Sequence, residues 1–204
     1  MNKTKKKVAG AFVLMVCLAA VIIGVFYAVT KDSESNSQLA SEPTTEVGKL
    51  LEKDLDTKYP ETPSEVVKLY WRFNKCMYNG EGVSDENFEE LLKQLRKLYD
   101  DEFLADEKNS WDSMLESFKN DAADYQKRSQ KISLYTVEPN SSTVYNKIDG
   151  EEYATVITNT MLKQKADRKK VYEKFMCRRD SDNNWKILGW EQIDSADVEG
   201  DVEN

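Results

Sequence analysis

Histidine is absent from the 204 residues, and cysteine occurs only three times. Without histidine, Ser-His-Asp triads, Cys-His dyads, histidine metal sites and the usual charge switch near neutral pH are all excluded. Three thiolates are too few for a four-cysteine zinc site. Glycine is scarce at eight residues, and no glycine-rich phosphate loop can be traced. Net positive charge is also lacking. The 29 basic and 37 acidic residues sum to −8, opposite in sign to the basic face that releases counterions from nucleic acid. The expectation is a protein with no cofactor, no metal and no nucleic-acid partner, sized for one folded domain plus accessories.

The charge that is present is unevenly placed. Residues 1–30 carry Lys3, Lys5, Lys6 and Lys7 and no acid, giving +4, so the remaining 25 basic and 37 acidic residues give −12. From Val8 to Thr30 run 23 uncharged residues, which as a helix reach ~34 Å and span a hydrocarbon core of ~30 Å. Lysines before the run and acids after it predict a cytoplasmic stub (1–7), a transmembrane helix (8–30) in the lipid bilayer, and everything beyond outside the cell membrane. Phe26-Tyr27-Ala28 lacks the small residue a signal peptidase needs at −3. Val16 before Cys17 likewise disfavours lipidation, so the span is read as a retained signal anchor with Cys17 a small apolar residue inside it.

Residues 31–45 are polar and form a flexible linker of ~20 Å. Val47, Leu50, Leu51 and Leu55 predict a short amphipathic helix over 46–58. Pro60 and Pro63 hold the next residues extended, and the folded domain covers 59–195, with an acidic disordered tail at 196–204. Ser64 is read as the cap of a first helix to Tyr78, Ser84 as the cap of a second to about Tyr99, and Asn109 or Ser110 as the cap of a third. After Gln130 the period falls to 2. Ile132, Leu134 and Thr136 share one face of a first strand, Thr143–Ile148 form a second, and Asp149-Gly150 is a hairpin turn. Tyr153–Leu162, Val171–Arg179 and Trp185–Trp190 follow. Helices ahead of a continuous antiparallel meander predict an α+β fold, a curved sheet wrapped on the first helix.

The run Tyr59-Pro60-Glu61-Thr62-Pro63-Ser64-Glu65-Val66-Val67-Lys68-Leu69-Tyr70, with Cys76-Met77-Tyr78-Asn79, Arg96-Lys97-Leu98-Tyr99-Asp100 and Trp185-Lys186-Ile187-Leu188-Gly189-Trp190, resembles an uncharacterised family of signal-anchored proteins of low-GC Gram-positive gut bacteria. The element order is also similar to the nuclear-transport-factor-2-like, or cystatin-like, cone. Neither resemblance implies an established activity for this family.

Strand parity places Glu173 with Phe175, and Glu191 with Trp185 and Ile187. Both carboxylates are therefore candidates for proton transfer inside the cone, with Tyr70, Tyr125 and Tyr135 as companions. Cys76 and Cys177 both fall on inward faces, and a disulfide between them is a candidate staple. Asp180, Asp182, Asn184 and Glu191 fall at calcium-loop spacing, but Trp185 stands where that loop needs glycine, so a polar hairpin turn is the better reading. The last strand is apolar on both faces, so Leu188 and Trp190 need a cover: the 46–58 helix, a second copy, or another protein.

The expected function is a membrane-anchored extracytoplasmic binding or interaction module with a protein or small-molecule partner. Its acidity is expected to repel anionic lipid and wall polymers. The alternatives are an isomerase-like or hydratase-like enzyme using an inward carboxylate, and a structural subunit of an envelope complex.

Overall fold

The computed structural model describes residues 45–80 and 82–194. The apolar run 8–30, residues 31–44 of the linker and the tail from 195 lie outside them. Among the described residues no helix is long and apolar enough to cross a membrane.

Helix α1 (Glu46–Leu51) starts on Thr45, whose side chain accepts from the Gly48 amide. It is shorter than the 46–58 spacing predicts because Asp54 Oδ1 captures the amides of Asp56 and Thr57 in a turn. Helix α2 (Pro63–Asn79) is capped by Thr62 rather than Ser64. Thr62 and Glu65 exchange side-chain and backbone bonds, and Pro63 opens the first turn. Ser64 lies inside the helix, buried, its hydroxyl 3.0 Å from that of Thr143. Gly80, at φ 66°, ends the helix in the left-handed region.

Helix α3 (Asp85–Arg96), capped by Ser84, stops short of Tyr99. Beyond it the Ile187 amide donates to Leu98 O (2.8 Å) and the Asp100 amide to Ile187 O (2.9 Å), so Tyr99 forms a parallel bridge to Ile187. Helix α4 (Asp101–Ala105), which the periodicity does not show, starts on the Asp100 side chain. Helix α5 (Trp111–Lys127) is capped by Ser110.

The sheet contains β1 (Gln130–Val137), β2 (Val144–Ile148), β3 (Glu151–Gln164), β4 (Asp167–Arg179) and β5 (Trp185–Ile193). The expected meander is corrected here: β1 and β2 do not pair with each other. Both pair with β3, β1 along 158–164 and β2 along 151–155, and the order continues through β4 to β5. Helices followed by an open antiparallel sheet make an α+β fold, as the change of period implies. Helix α2 packs along the inner sheet face, touching β1, β3 and β5. Its Phe73 and Val66 are fully buried, as are Phe175 and Ile187 of the sheet and Leu91, Leu92 and Leu95 of α3. Each such side chain contributes about 1.5–3 kcal/mol on burial. Val47 and Leu50 bury α1 against α3 and α2, so this helix is not the cover expected over Leu188 and Trp190.

Candidate functional site

Two β-bulges decide what faces inward. The register of β4 with β5 runs Phe175 to Trp190, Met176 to Gly189 and Cys177 to Ile187, leaving Leu188 as the extra residue. Side-chain parity therefore resets at Leu188. Trp190 lands on the inner face, its ring stacked on Phe175 (5.8 Å) and Tyr99 (6.0 Å), with Tyr70 at 5.5 Å. Glu191 is placed opposite Lys174 and is exposed. The expectation that Glu191 points inward with Trp185 and Ile187 is overturned, while Trp190, although packed against the inner aromatic rings, is still 38% exposed. A second shift, between Ile132 and Leu134 of β1, separates residues expected to share a face: Ile132 is buried, whereas Leu134 is 59% exposed.

Glu173 does face inward, opposite Thr158. The residue is half-buried, but its Oε2 is fully buried and has no hydrogen-bond partner among the described residues. Burial alone raises its carboxyl to about 7, because the charged form loses water without gaining a donor. Thr160, diagonal to Glu173 on the same face, also has an unpartnered buried hydroxyl. Tyr70 and Tyr78 are held well above the usual phenol range by burial first, and the negative charge of Glu173 adds to it. Tyr125, stacked on Tyr78 at 5.0 Å, is raised for the same two reasons, with Asp121 contributing.

The structure thus brings Tyr70 and Tyr125 into the field of Glu173 but hydrogen-bonds neither to it. Tyr135 stands elsewhere. It stacks on Trp71 at 6.3 Å and lines a cleft of about 470 Å³ with Arg72, Lys75 and Cys76. The interior can hold a carboxylate half-ionised near neutral pH, close enough to the Tyr70, Tyr78 and Tyr125 phenols to act on them electrostatically. Tyr78 and Thr160 were missed by sequence reasoning. Counting parity from the Asp149-Gly150 turn points to Thr160, but only the helix packing reveals Tyr78.

The outer face has a different character. Val144, Thr155, Met176 and Gly189 lie in one row across four strands, with Val144 52% and Met176 46% exposed. Together with Leu188, Met176 borders a depression of about 280 Å³. Gly189 keeps it open, since a Cβ added there meets nothing within 4 Å. The only partly wet Leu188 therefore faces a recess, not a packed core.

A family model described as a domain of unknown function, DUF6715, matches residues 1–190. The chain belongs to that family. The match runs through the apolar segment and the folded domain together. No curated protein matches the chain. Against that background two further placements of family-member residues matter. Cys76, half-buried on α2, and Cys177, buried on β4, are both free thiols, so the candidate disulfide is not formed. Burial pushes Cys76 up to about 11 and Cys177 up to about 12, which makes both poor nucleophiles. In the β4–β5 turn, Asp180 Oδ1 accepts from the amides of Asp182 (3.0 Å) and Asn184 (2.8 Å). That carboxylate is organising a hairpin.

Proposed function

We propose that the protein is a single-pass, membrane-anchored extracytoplasmic interaction module, a nuclear-transport-factor-2-like cone that binds a partner through its outer sheet face. One observation carries this reading: the inner face holds stacked aromatic side chains, while the outer face presents Met176 and Leu188 at an open depression, with exposed Val144 further along the same cross-strand row. The topology supports the cone, and the 23-residue apolar run, included in the family match, supports the anchor. A photo-crosslinking residue at position 176 in whole cells should give a discrete adduct, and Gly189→Phe should abolish it without lowering the melting temperature. Absence of an adduct at native expression, or one indifferent to Gly189→Phe, would sink the reading.

A second reading has its own observation, the Glu173 carboxyl raised to about 7. In it the cone is an enzyme for a small carbonyl compound, with Glu173 taking the proton. A thermal-shift panel of such compounds against wild type and Glu173→Gln separates the two, since only the enzyme reading expects shifts that the variant loses.

A further inference from the structure

The domain's acidity conceals a cationic end. Residues 45–194 contain 24 basic and 30 acidic residues, net −6, yet Lys163 to Lys174 contain six basic and two acidic residues, net +4, leaving −10 for the rest. These residues form the β3–β4 hairpin, which turns at Lys165 (φ 54°) and Ala166. Registers align its cations: Lys131, Lys163 and Arg168 stand directly opposite one another across β1, β3 and β4. The next outward row is Leu134, Met161 and Lys170.

Like charges directly opposed weaken a sheet. Lys163, Arg168 and Lys169 form no ion pair among the described residues. Lys170 lies over the Tyr172 ring at 4.6 Å. Apolar side chains interleave with these cations: Leu134 at 59% exposure, with the half-buried Met161 beside it.

We propose that the β3–β4 hairpin and the adjoining outer face of β1 dock on anionic phospholipid headgroups, so that this end of the domain rests on the bilayer. Cations bind the phosphates, while Leu134 and Met161 enter the headgroup boundary. A soluble polyanion would leave those two side chains unused. Chain length favours the same occupant. Only fourteen residues, 31–44, lie between the end of the apolar run at Thr30 and Thr45, and Thr45 shares a cleft with Tyr135 of β1. The inference rests on the anchored reading above, and it revises the expectation that acidity repels lipid by confining the repulsion to the other end. Met176 stands six residues from Lys170 along β4, about 20 Å from the lipid-facing row at strand rise, which leaves the outer depression free for a partner.

The test uses the full chain reconstituted into phosphatidylcholine vesicles with or without 30% (about one lipid in three) phosphatidylglycerol, carrying a fluorescent amino acid at position 166 and a headgroup acceptor dye. Energy transfer should rise at least about two-fold with phosphatidylglycerol and fall back in ~0.5 M salt. The charge reversal Lys163→Glu, Arg168→Glu and Lys170→Glu should abolish the rise, and the milder Lys163→Gln, Arg168→Gln and Lys170→Gln should halve it. Equal transfer in the two vesicle types, or a triple variant that behaves as wild type, overturns the proposal. Insensitivity to phosphatidylglycerol combined with tight heparin binding overturns it in favour of an anionic polymer. Flotation after an alkaline wash reads the anchor separately. A chain stripped by that wash defeats the anchored reading, and docking is then decided by flotation at neutral pH and low salt, where binding to phosphatidylglycerol vesicles alone supports it and no binding overturns it.

Discussion

Replacing Glu173 by Gln isolates the energetic consequence of the buried carboxyl. In the unfolded chain this group titrates near 4.5, and in the folded domain near 7. Between those values the native state holds a proton that the unfolded state has released, so the stability it confers is complete below about 4.5 and is lost as pH rises through 7. At about 1.4 kcal/mol per unit, the loss is at most about 3 kcal/mol. Solvent reaching this half-buried residue sets the measured figure at or below that ceiling. Glutamine keeps the size and polarity but cannot ionise. In urea unfolding of the full chain in detergent, the variant should match wild type at pH 4.5 and exceed it by about 2–3 kcal/mol at pH 8, with the difference growing through the interval. Comparing the two chains cancels every other titrating group. A difference that is constant with pH, or a wild type that gains on the variant as pH rises, would refute the claim that the carboxyl is desolvated and unpartnered.

Asp100 is 3% exposed, takes a two-pronged bond from Arg178 (2.5 and 3.1 Å) and caps α4 through the Glu102 amide. Asp100→Ala should cost about 3–5 kcal/mol, seen as a lowered urea midpoint, because the Arg178 guanidinium loses its buried counter-charge and the helix its cap. Deleting Leu188 removes the bulge and turns Trp190 outward. Near-UV circular dichroism should lose aromatic intensity, and iodide should quench tryptophan emission more strongly. An unchanged spectrum would mean that the bulge does not set the parity of β5.

Which segments form elements is legible from local pattern, because periodicity and caps act over a few residues. Ser84 and Ser110 start their helices where the spacing says, and the switch at Gln130 from period 3.6 to period 2 marks the start of the sheet. The inward placement of Glu173 was legible too, since the strand from Val171 to Arg179 runs unbroken around it. The remaining features depend on contacts between segments distant in sequence. Helix α3 ends early because Leu98 and Asp100 find backbone partners on Ile187, 87 residues or more away in sequence. Strands β1 and β2 share one edge of β3, a pairing that no local pattern encodes. Most consequential are the two bulges. A single extra residue at Leu188 exchanges the faces of Trp190 and Glu191, and the shift beside Ser133 puts Leu134 on the surface. Alternation in a sequence counts residues, whereas a side chain's direction depends on hydrogen-bond register with the neighbouring strand, and only the folded sheet fixes that register.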